Sequence, residues 1–228
     1  MASDPPLVLD IDGTLTRPEG FGIDPRIFNP LLEWDAPVVL ATGKAFPYPI
    51  ALCHFLAIPE IAVAENGGVV YTGEEVTVTA DRAAAQAVLE EYREAGYAAG
   101  WGGDDTINRW RATEVAINRD QPRDPLEAIA ADYGLEVIDT GYAYHVKDPT
   151  VTKGQGLLAL GEAAGIEVAE AVAVGDSIND VSTFEVVSRS FAVANADADA
   201  RKAADEVLEE THADGTLAVV ERVRASGE

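Results

Sequence analysis

Two aspartates separated by a single residue follow an apolar run near the N-terminus, in "VLDIDGTLT" (8–16). Alternate residues of a strand project to the same side, so this spacing predicts that Asp10 and Asp12 lie together at a strand tip. Gly13 allows the chain to turn away directly afterwards. Two carboxylates this close repel each other unless a proton or a cation lies between them. The pattern therefore indicates a site for a hard divalent cation with oxygen ligands, most commonly Mg²⁺.

A second acidic stretch, "AVAVGDSIND" (171–180), has the same character. Asp176 directly follows an apolar run and a glycine, and Asp180 lies where a helix should begin. An alternative is that Asp180 merely caps that helix. Capping explains one acid at this point, but it does not explain acids at the ends of two separate strands. We therefore expect Asp176 and Asp180 to meet the first acidic pair.

Two further stretches carry groups suited to a phosphoryl oxygen. In "VVLATGK" (38–44), Thr42 offers a hydroxyl and Gly43 an accessible backbone N–H. Lys153 precedes a predicted helix and is one of only four lysines in the chain. A surface lysine is the ordinary alternative, but a strongly acidic chain needs a local cation to hold an anion.

The elements that must hold these residues alternate in type along the chain. Apolar runs alternate with helical patterns up to the "ENGG" turn at 65–68 and again after residue 150. This alternation predicts a doubly wound α/β domain with a buried parallel sheet, which gathers ligands at the carboxyl ends of its strands. The segment 79–149 mixes hairpins with helices and predicts a small inserted α+β unit. Within it, "RWRATEVAINR" (109–119) predicts a strand.

In chain order, "DIDGT", "ATG", the lysine of "VTKGQG" and "GDSIND" resemble the four motifs of the haloacid dehalogenase (HAD) superfamily of phosphatases. The insertion between the second and third motifs resembles the C2-type cap of that superfamily. The resemblance implies a HAD-like catalytic core of residues 1–78 plus 150–228 and an inserted cap domain of residues 79–149. One departure is Lys44, where many relatives have an arginine; the charge is kept but bidentate geometry is lost.

The resemblance also implies a role for each motif residue. Asp10 is expected to attack phosphorus and form an aspartyl-phosphate. Asp12 is expected to protonate the leaving alkoxide and then to activate water, and its backbone carbonyl to bind Mg²⁺. The expected site residues are Asp10 and Asp12 for catalysis, Thr42, Gly43 and Lys153 for substrate binding, and Asp10, Asp12, Asp176 and Asp180 for the metal.

The small cap and "VTKGQGL" resemble the archaeal phosphoglycolate phosphatases, which implies a small phosphorylated metabolite, 2-phosphoglycolate, as the substrate. Other members of the superfamily hydrolyse sugar phosphates such as sucrose 6-phosphate or mannosyl-3-phosphoglycerate, and phosphomutases share the fold, so these reactions stay open. A non-enzymatic phospho-receiver or binding module also places acids and a lysine at strand tips. The inserted cap, together with "DGTLT" and "GDSIND", favours the enzyme.

The overall charge excludes several partners. Forty acidic residues against sixteen basic ones give a net charge of −24. Such a field repels nucleic acid and anionic membrane surfaces, so we expect neither as a partner. Acidity spread along a lysine-poor chain is typical of proteins from a halophilic archaeon. The single Cys53 excludes an internal disulfide, and the sequence has neither a secretory signal pattern nor a membrane-spanning run, which favours a cytoplasmic protein. Monomer and homodimer both stay open.

Some polar residues of the insertion have ordinary structural explanations. His145 alternates within a predicted strand, so we expect a partly buried histidine there instead of a catalytic one. Arg109, Arg111 and Lys147 are candidates to meet an anionic leaving group, but we expect them to be surface charges.

Overall fold

Strands and helices alternate through most of the protein in a computed structural model that describes residues 4–19 and 22–227. The strands are β1 (Leu7–Leu9), β2 (Val38–Ala41), β3 (Ala62–Ala64), β4 (Val69–Tyr71), β5 (Val76–Val78), β6 (Val115–Asn118), β7 (Glu136–Asp139), β8 (Ala143–Lys147), β9 (Val172–Gly175), β10 (Arg189–Ala192) and β11 (Glu206–Val207). The α-helices are α1 (Phe28–Leu32), α2 (Pro47–Leu56), α3 (Arg82–Glu94), α4 (Arg123–Asp132), α5 (Lys153–Ala164), α6 (Val181–Phe184), α7 (Ala198–Ala203) and α8 (His212–Gly227).

The central sheet contains eight of these strands in the order β11-β10-β9-β1-β2-β3-β4-β5. Its strands from β11 to β3 run parallel, and β4 and β5 extend one edge as an antiparallel hairpin. β1 lies between β2 and β9, where the direction of winding along the sheet reverses. In doubly wound sheets this switch point is where ligands bind, at the carboxyl ends of the strands. The predicted doubly wound α/β fold is confirmed.

Helices cover both faces of the parallel strands, and this explains why those strands are apolar throughout. Leu7 and Leu9 of β1 pack into one core cluster, which contains residues of α1, α2 and α8. Val8 faces the opposite way and packs with residues of α5, α6 and α7. Because successive side chains of a strand alternate between faces, a strand covered on both faces has no position for a polar residue until it ends.

The segment between β5 and α5, called the inserted segment below, forms a smaller sheet with its own core. Three antiparallel strands lie in the order β6-β8-β7, and α3 and α4 pack against them. Val88, Leu89 and Tyr92 of α3 are buried with Ile117 of β6 and Leu126 of α4. This sheet therefore does not continue the central one.

The strand predicted at 109–119 is wrong in its first half. Only Val115–Asn118 is extended in the ladder with β8. The backbone N–H groups of Ala112 and Thr113 instead donate to the buried carboxylate of Glu65, at 2.9 and 2.8 Å. These two N–H groups are therefore not available to pair with a neighbouring strand. The local pattern of residues cannot predict this, because Glu65 is distant in the sequence.

Within the described part of the chain, each helix is too short or too polar to cross a membrane.

Candidate active site

Asp10 and Asp176 stand at the ends of two strands that pair directly. Leu9 of β1 is in register with Val174 of β9, and the N–H of Asp10 continues the ladder to the carbonyl of Val174 at 3.1 Å. Because the strands are parallel, both carboxylates emerge at the same edge of the sheet. Asp180 follows in a short 3₁₀ helix (Ile178–Asp180). One carboxylate oxygen from each of the three aspartates lies within 4.8 Å of the others.

Burial and mutual repulsion make these acids hard to ionise together. Burial raises the pKa of Asp10 to about 7; Lys153 opposes the rise, and Asp180 and Asp12 add to it. Burial, followed by the charges of Asp10 and Asp180, raises the pKa of Asp176 to about 9. A divalent cation among these oxygens removes the repulsion. The donor set consists of carboxylates, so its chemistry fits Mg²⁺.

Lys153 lies behind Asp10 and joins it to Asp180. Its ammonium donates to Oδ1 of Asp10 and to Oδ1 of Asp180, both at 2.6 Å, and its side chain is fully buried. Burial alone would lower the pKa of Lys153, but the two aspartates outweigh burial and raise it, so the group stays cationic. Thr152 holds the start of α5 by accepting from the N–H of Gln155 at 3.2 Å. The third ammonium N–H group has no hydrogen-bond partner among the described residues.

Asp180 uses both of its oxygens inside the protein. While Oδ1 binds Lys153, Oδ2 accepts from the backbone N–H groups of Asp176 and Ser177, each at 3.0 Å. Asp180 therefore fixes the loop that carries Asp176 as well as the lysine. Asp180 does help to cap the short 3₁₀ helix, as the alternative proposed, but it also binds Lys153.

Asp12 lies apart from the cluster of the other three acids. β1 ends at Leu9, so the alternation of a strand does not extend as far as Asp12, and its side chain turns toward Lys44. Oδ2 of Asp12 lies 2.9 Å from the Lys44 ammonium. Lys44 also lies over the rings of Tyr48 and Tyr142, at 5.5 and 5.4 Å from their centres. Asp10 and Asp12 line the same cavity, but the Asp12 carboxylate pairs with Lys44 and is not part of the cluster of the other three carboxylates.

Thr42 and Gly43 follow β2 at the same edge of the sheet. The Thr42 hydroxyl accepts from the N–H of Lys44 at 3.1 Å, which holds the turn. The N–H of Gly43 makes no hydrogen bond to another described residue, and Gly43 lines the cavity above Asp10. It is thus a donor available for an anion.

Comparison with known proteins decides the family. A phosphoglycolate phosphatase of Halorubrum lacusprofundi is 55% identical over 226 residues, which cover 98% of this chain and 99% of the relative. A phosphoglycolate phosphatase of Halobacterium salinarum is 52% identical over 223 residues, with coverage of 98% and 99%. The family model for haloacid dehalogenase-like hydrolases matches residues 115–220. The chain belongs to the haloacid dehalogenase-like hydrolases. Both of these relatives are from halophilic archaea, which agrees with the acidic composition.

Solved structures have the same fold as this haloacid dehalogenase-like hydrolase. A crystal structure from Thermoplasma acidophilum superimposes with a TM-score of 0.84 at 22% identity, covering 98% of this chain and 99% of the other. A haloacid dehalogenase-like hydrolase from Bacteroides thetaiotaomicron gives a TM-score of 0.78 at 20% identity, covering 97% and 100%. At these identities the likeness concerns the fold.

The active-site cavity of the hydrolase has a volume of about 480 Å³ and has walls from both sheets. Of the predicted site residues, it is lined by Asp10, Asp12, Thr42, Gly43 and Asp176. Lys153 and Asp180 lie behind Asp10, outside the lining.

Sequence reasoning missed the residues that the inserted segment contributes to this cavity. Arg111 and His145 line it, and each is only 3% exposed. The prediction of surface charges is therefore wrong for Arg111, and it is wrong for Lys147, which is 4% exposed and paired with Glu136 at 2.9 Å. For Arg109 the prediction is confirmed, since that residue is exposed. The sequence offered one signal for these residues, which is the concentration of charged residues at 109–119 within the predicted cap.

Proposed function

We propose that this chain hydrolyses 2-phosphoglycolate to glycolate and phosphate, with Mg²⁺ as the cofactor and Asp10 as the nucleophile. The observation that carries the proposal is the position of Asp10. Its carboxylate lies in the cavity between the two sheets, against Lys153 at 2.6 Å and within the cluster of Asp176 and Asp180. The high identity to curated phosphoglycolate phosphatases supports the substrate. We propose that the substrate is a small phosphorylated metabolite and that the enzyme works in the cytoplasm.

The first step forms a bond between Asp10 and phosphorus. Oδ1 of Asp10 is occupied by Lys153, and Oδ2 makes no hydrogen bond to the described residues, so Oδ2 is the free nucleophile. As the new P–O bond forms, the bond from phosphorus to the ester oxygen breaks. Asp12 delivers a proton to the leaving glycolate oxygen. Lys44 holds the Asp12 carboxyl group in position for that transfer.

The second step releases phosphate from the aspartyl-phosphate. Asp12, now deprotonated, takes a proton from a water molecule as that water attacks phosphorus, and the Asp10 carboxylate leaves. Both steps place negative charge on the phosphoryl oxygens. The Gly43 N–H, the Thr42 hydroxyl and the third N–H of Lys153 supply donors for that charge.

A Mg²⁺ ion supplies additional positive charge at the phosphoryl group when it is bound. We propose that Asp10, Asp176, Asp180 and the backbone carbonyl of Asp12 hold it. Since both oxygens of Asp180 already accept hydrogen bonds, its main contribution is to position Asp176 and Lys153.

A panel of phosphorylated metabolites, assayed with Mg²⁺ in about 2 M KCl, tests the proposal. The panel contains 2-phosphoglycolate, sucrose 6-phosphate, mannosyl-3-phosphoglycerate and p-nitrophenyl phosphate. We expect the highest kcat/KM for 2-phosphoglycolate, full dependence on Mg²⁺, and loss of turnover in Asp10→Asn. Asp132→Asn, an exposed aspartate in α4, is the matched control. A sugar phosphate as the best substrate contradicts the proposed substrate, and an active Asp10→Asn variant contradicts the mechanism.

A further inference from the structure

Three charged or titratable side chains of the inserted segment are buried beside the active site without a part in the chemistry above. Arg111 and His145 line the cavity that contains Asp10, and Glu114 lies behind them at 1% exposure. Burying ionised groups is costly unless they are paired and hydrogen-bonded. A simple contact between the inserted segment and the central sheet does not require an arginine and a histidine directed at a substrate cavity.

Glu114 holds both of these groups in place. Its Oε1 lies 2.8 Å from Nδ1 of His145 and also accepts from Nη1 of Arg111. Its Oε2 accepts from the side-chain amide of Asn66 at 2.9 Å. With the Glu114 carboxylate as the acceptor, Nδ1 of the histidine carries the proton and Nε2 is the other ring nitrogen, left without a partner among the described residues. Glu114 therefore acts as a fixed counter-ion behind a recognition surface.

The guanidinium of Arg111 keeps unused donors. Nη1 makes the two hydrogen bonds, to Glu114 and to the carbonyl of Gly43 at 2.9 Å. Nε is buried without a hydrogen-bond partner, and Nη2 makes no hydrogen bond to a residue in the described ranges. An arginine has five N–H groups arranged for bidentate binding of a carboxylate. The donors that Arg111 leaves free suit that ligand.

The contact with Gly43 places Arg111 beside a proposed phosphoryl donor. The N–H of Gly43 is a proposed phosphoryl donor, and the carbonyl of the same residue binds Arg111. The guanidinium therefore contacts the same residue that supplies this donor. In 2-phosphoglycolate, a single methylene separates the ester oxygen from the carboxylate carbon. A substrate whose two anionic groups are this near each other can contact Gly43 and Arg111 together.

Apart from Arg111, the cations at the cavity are Arg17, which is exposed, and two lysines that are paired with aspartates. Lys153 is enclosed by Asp10 and Asp180, and Lys44 is paired with Asp12. The chain as a whole carries a net charge of −24 and repels anions. A carboxylate that enters the cavity needs a cation with free donors, and Arg111 provides one.

We propose that Arg111 and His145 recognise the carboxylate of the substrate, and that Glu114 and Asn66 are positioning residues for this pair. The inference rests on the proposed function and deepens it, because it assigns the residues that select a phosphomonoester with a carboxylate one carbon from the ester oxygen.

The test compares 2-phosphoglycolate with ethyl phosphate, which has a methyl group in place of the carboxylate. For each variant, the ratio of the two kcat/KM values is measured on one preparation in Mg²⁺ and about 2 M KCl. The fraction of folded enzyme cancels in this ratio. Loss of a charge-assisted contact should lower the ratio by about 10- to 100-fold in Arg111→Met. The drop should be expressed mainly in KM for 2-phosphoglycolate.

His145→Asn tests the second proposed contact separately. The amide nitrogen of the asparagine can replace Nδ1 in the contact with Glu114, but no group replaces Nε2. We expect the ratio to fall by about 3- to 30-fold in this variant. Glu114→Gln should lower the ratio less than Arg111→Met does, since the arginine remains but is held less firmly. Arg109→Met is the matched control, because Arg109 lies on the same loop, is exposed and does not line the cavity. Its ratio should equal that of the wild type.

The outcomes separate the inference from the proposed function. If the wild-type enzyme prefers ethyl phosphate, both the proposed function and the carboxylate subsite are wrong. If the wild type prefers 2-phosphoglycolate, and the ratio stays within about twofold in both Arg111→Met and His145→Asn, the function stands and the carboxylate subsite is wrong. In that case the cluster only joins the inserted segment to the central sheet. A fall of the ratio in both variants, with Arg109→Met unchanged, supports the subsite.

Discussion

Gly13 and Asp176 lie so close together that no side chain fits at position 13. A Cβ built on Gly13 would lie 2.0 Å from Oδ2 of Asp176, and the φ angle of Gly13 is +79°. Both facts require glycine: the first because the carboxylate occupies the space, the second because L side chains are strained at that angle. The turn after the first acidic pair is therefore part of the proposed metal site, since it determines where the carboxylate of the second strand can lie.

Gly13→Ala should push Asp176 away from Asp10 and weaken the binding of Mg²⁺. We expect kcat/KM to fall by at least about 100-fold, since a displacement of about 1 Å in a catalytic group costs this much. Activity assays over a range of Mg²⁺ concentrations, with circular dichroism to verify the fold, would measure the effect. Gly103→Ala is the control, because an added Cβ there meets no atom within 4 Å. Wild-type Mg²⁺ dependence in Gly13→Ala would show that the close approach has no function.

Replacing Lys153 should expose the repulsion that it now offsets. Lys153→Met removes the cation that binds Asp10 and Asp180, and both carboxylates stay buried. We expect a loss of about 3–5 kcal/mol in the free energy of unfolding without metal at pH 8, together with loss of phosphatase activity. Denaturant unfolding in EDTA, compared with the exposed control Lys202→Met, checks this. Equal stability of the two variants would contradict a pairing role for Lys153.

The residues that sequence could place are those fixed by local rules. Asp10 and Asp176 each follow an apolar strand, and parallel strands bring their carboxyl ends to one edge, so a meeting of the two acids was predictable. The position of the Asp12 side chain was not, because it depends on where β1 ends and on Lys44. Side chains alternate in direction only within a strand, so the alternation no longer predicts a direction once β1 has ended.

The contacts between the inserted segment and the central sheet had no comparable signal. Asn66 meets Glu114 across 48 positions of the chain, and it approaches His145 across 79. No period in the sequence relates residues at such separations. Arg111 follows exposed residues in the sequence, so its burial could not be predicted without knowing that it pairs with the buried Glu114.

Binding of Mg²⁺ should stabilise the protein more at high pH than at low pH. The pKa of Asp176 is raised from 3.8 to about 9 in the folded protein without metal. Its stabilising effect is complete below pH 3.8 and is lost as the pH rises toward 9, because the unfolded carboxyl ionises first. Asp10, with a pKa of about 7, acts in the same direction. Mg²⁺ reverses this loss by binding the ionised forms.

Thermal unfolding with and without Mg²⁺ at constant ionic strength measures the effect. At about 100 times Kd the ion should raise Tm by about 5–10 °C at pH 8, and by clearly less at pH 5. Asp176→Asn should lower the Mg²⁺ increment and flatten its dependence on pH. An increment that is the same at both pH values would rule out the titration of these acids as its cause.

High salt should stabilise the folded chain. A net charge of −24 produces self-repulsion, and the Debye length falls from about 10 Å at 0.1 M salt to about 3 Å at 1 M. We expect Tm to rise by roughly 10 °C between these KCl concentrations. The double variant Glu74→Lys/Glu75→Lys adds two charges at each exposed site, so the net charge becomes −20 and the rise should be smaller. An identical Tm at both salt concentrations would refute the prediction.

Glu65 joins the inserted segment to the central sheet, and its removal should be costly. Its carboxylate is 1% exposed and accepts from the N–H of Ala112 and from both the N–H and the hydroxyl of Thr113, at 2.8–2.9 Å. Glu65→Gln replaces one accepting oxygen with an NH₂ group that faces these donors. We expect a loss of about 1–3 kcal/mol in the free energy of unfolding. Glu74→Gln, exposed on the hairpin, is the control and should change little.

The same substitution should also affect catalysis, because the backbone of Glu65 is hydrogen-bonded to the turn that carries the proposed phosphoryl donor. The N–H of Glu65 donates to the carbonyl of Lys44 at 3.0 Å, directly after Gly43. A strained Glu65 would shift this turn and with it the phosphoryl donor and the contact of Arg111 with Gly43. We therefore expect kcat/KM to fall for 2-phosphoglycolate and ethyl phosphate alike. A variant that is less stable but fully active would show that the junction holds the inserted segment without setting the geometry of the site.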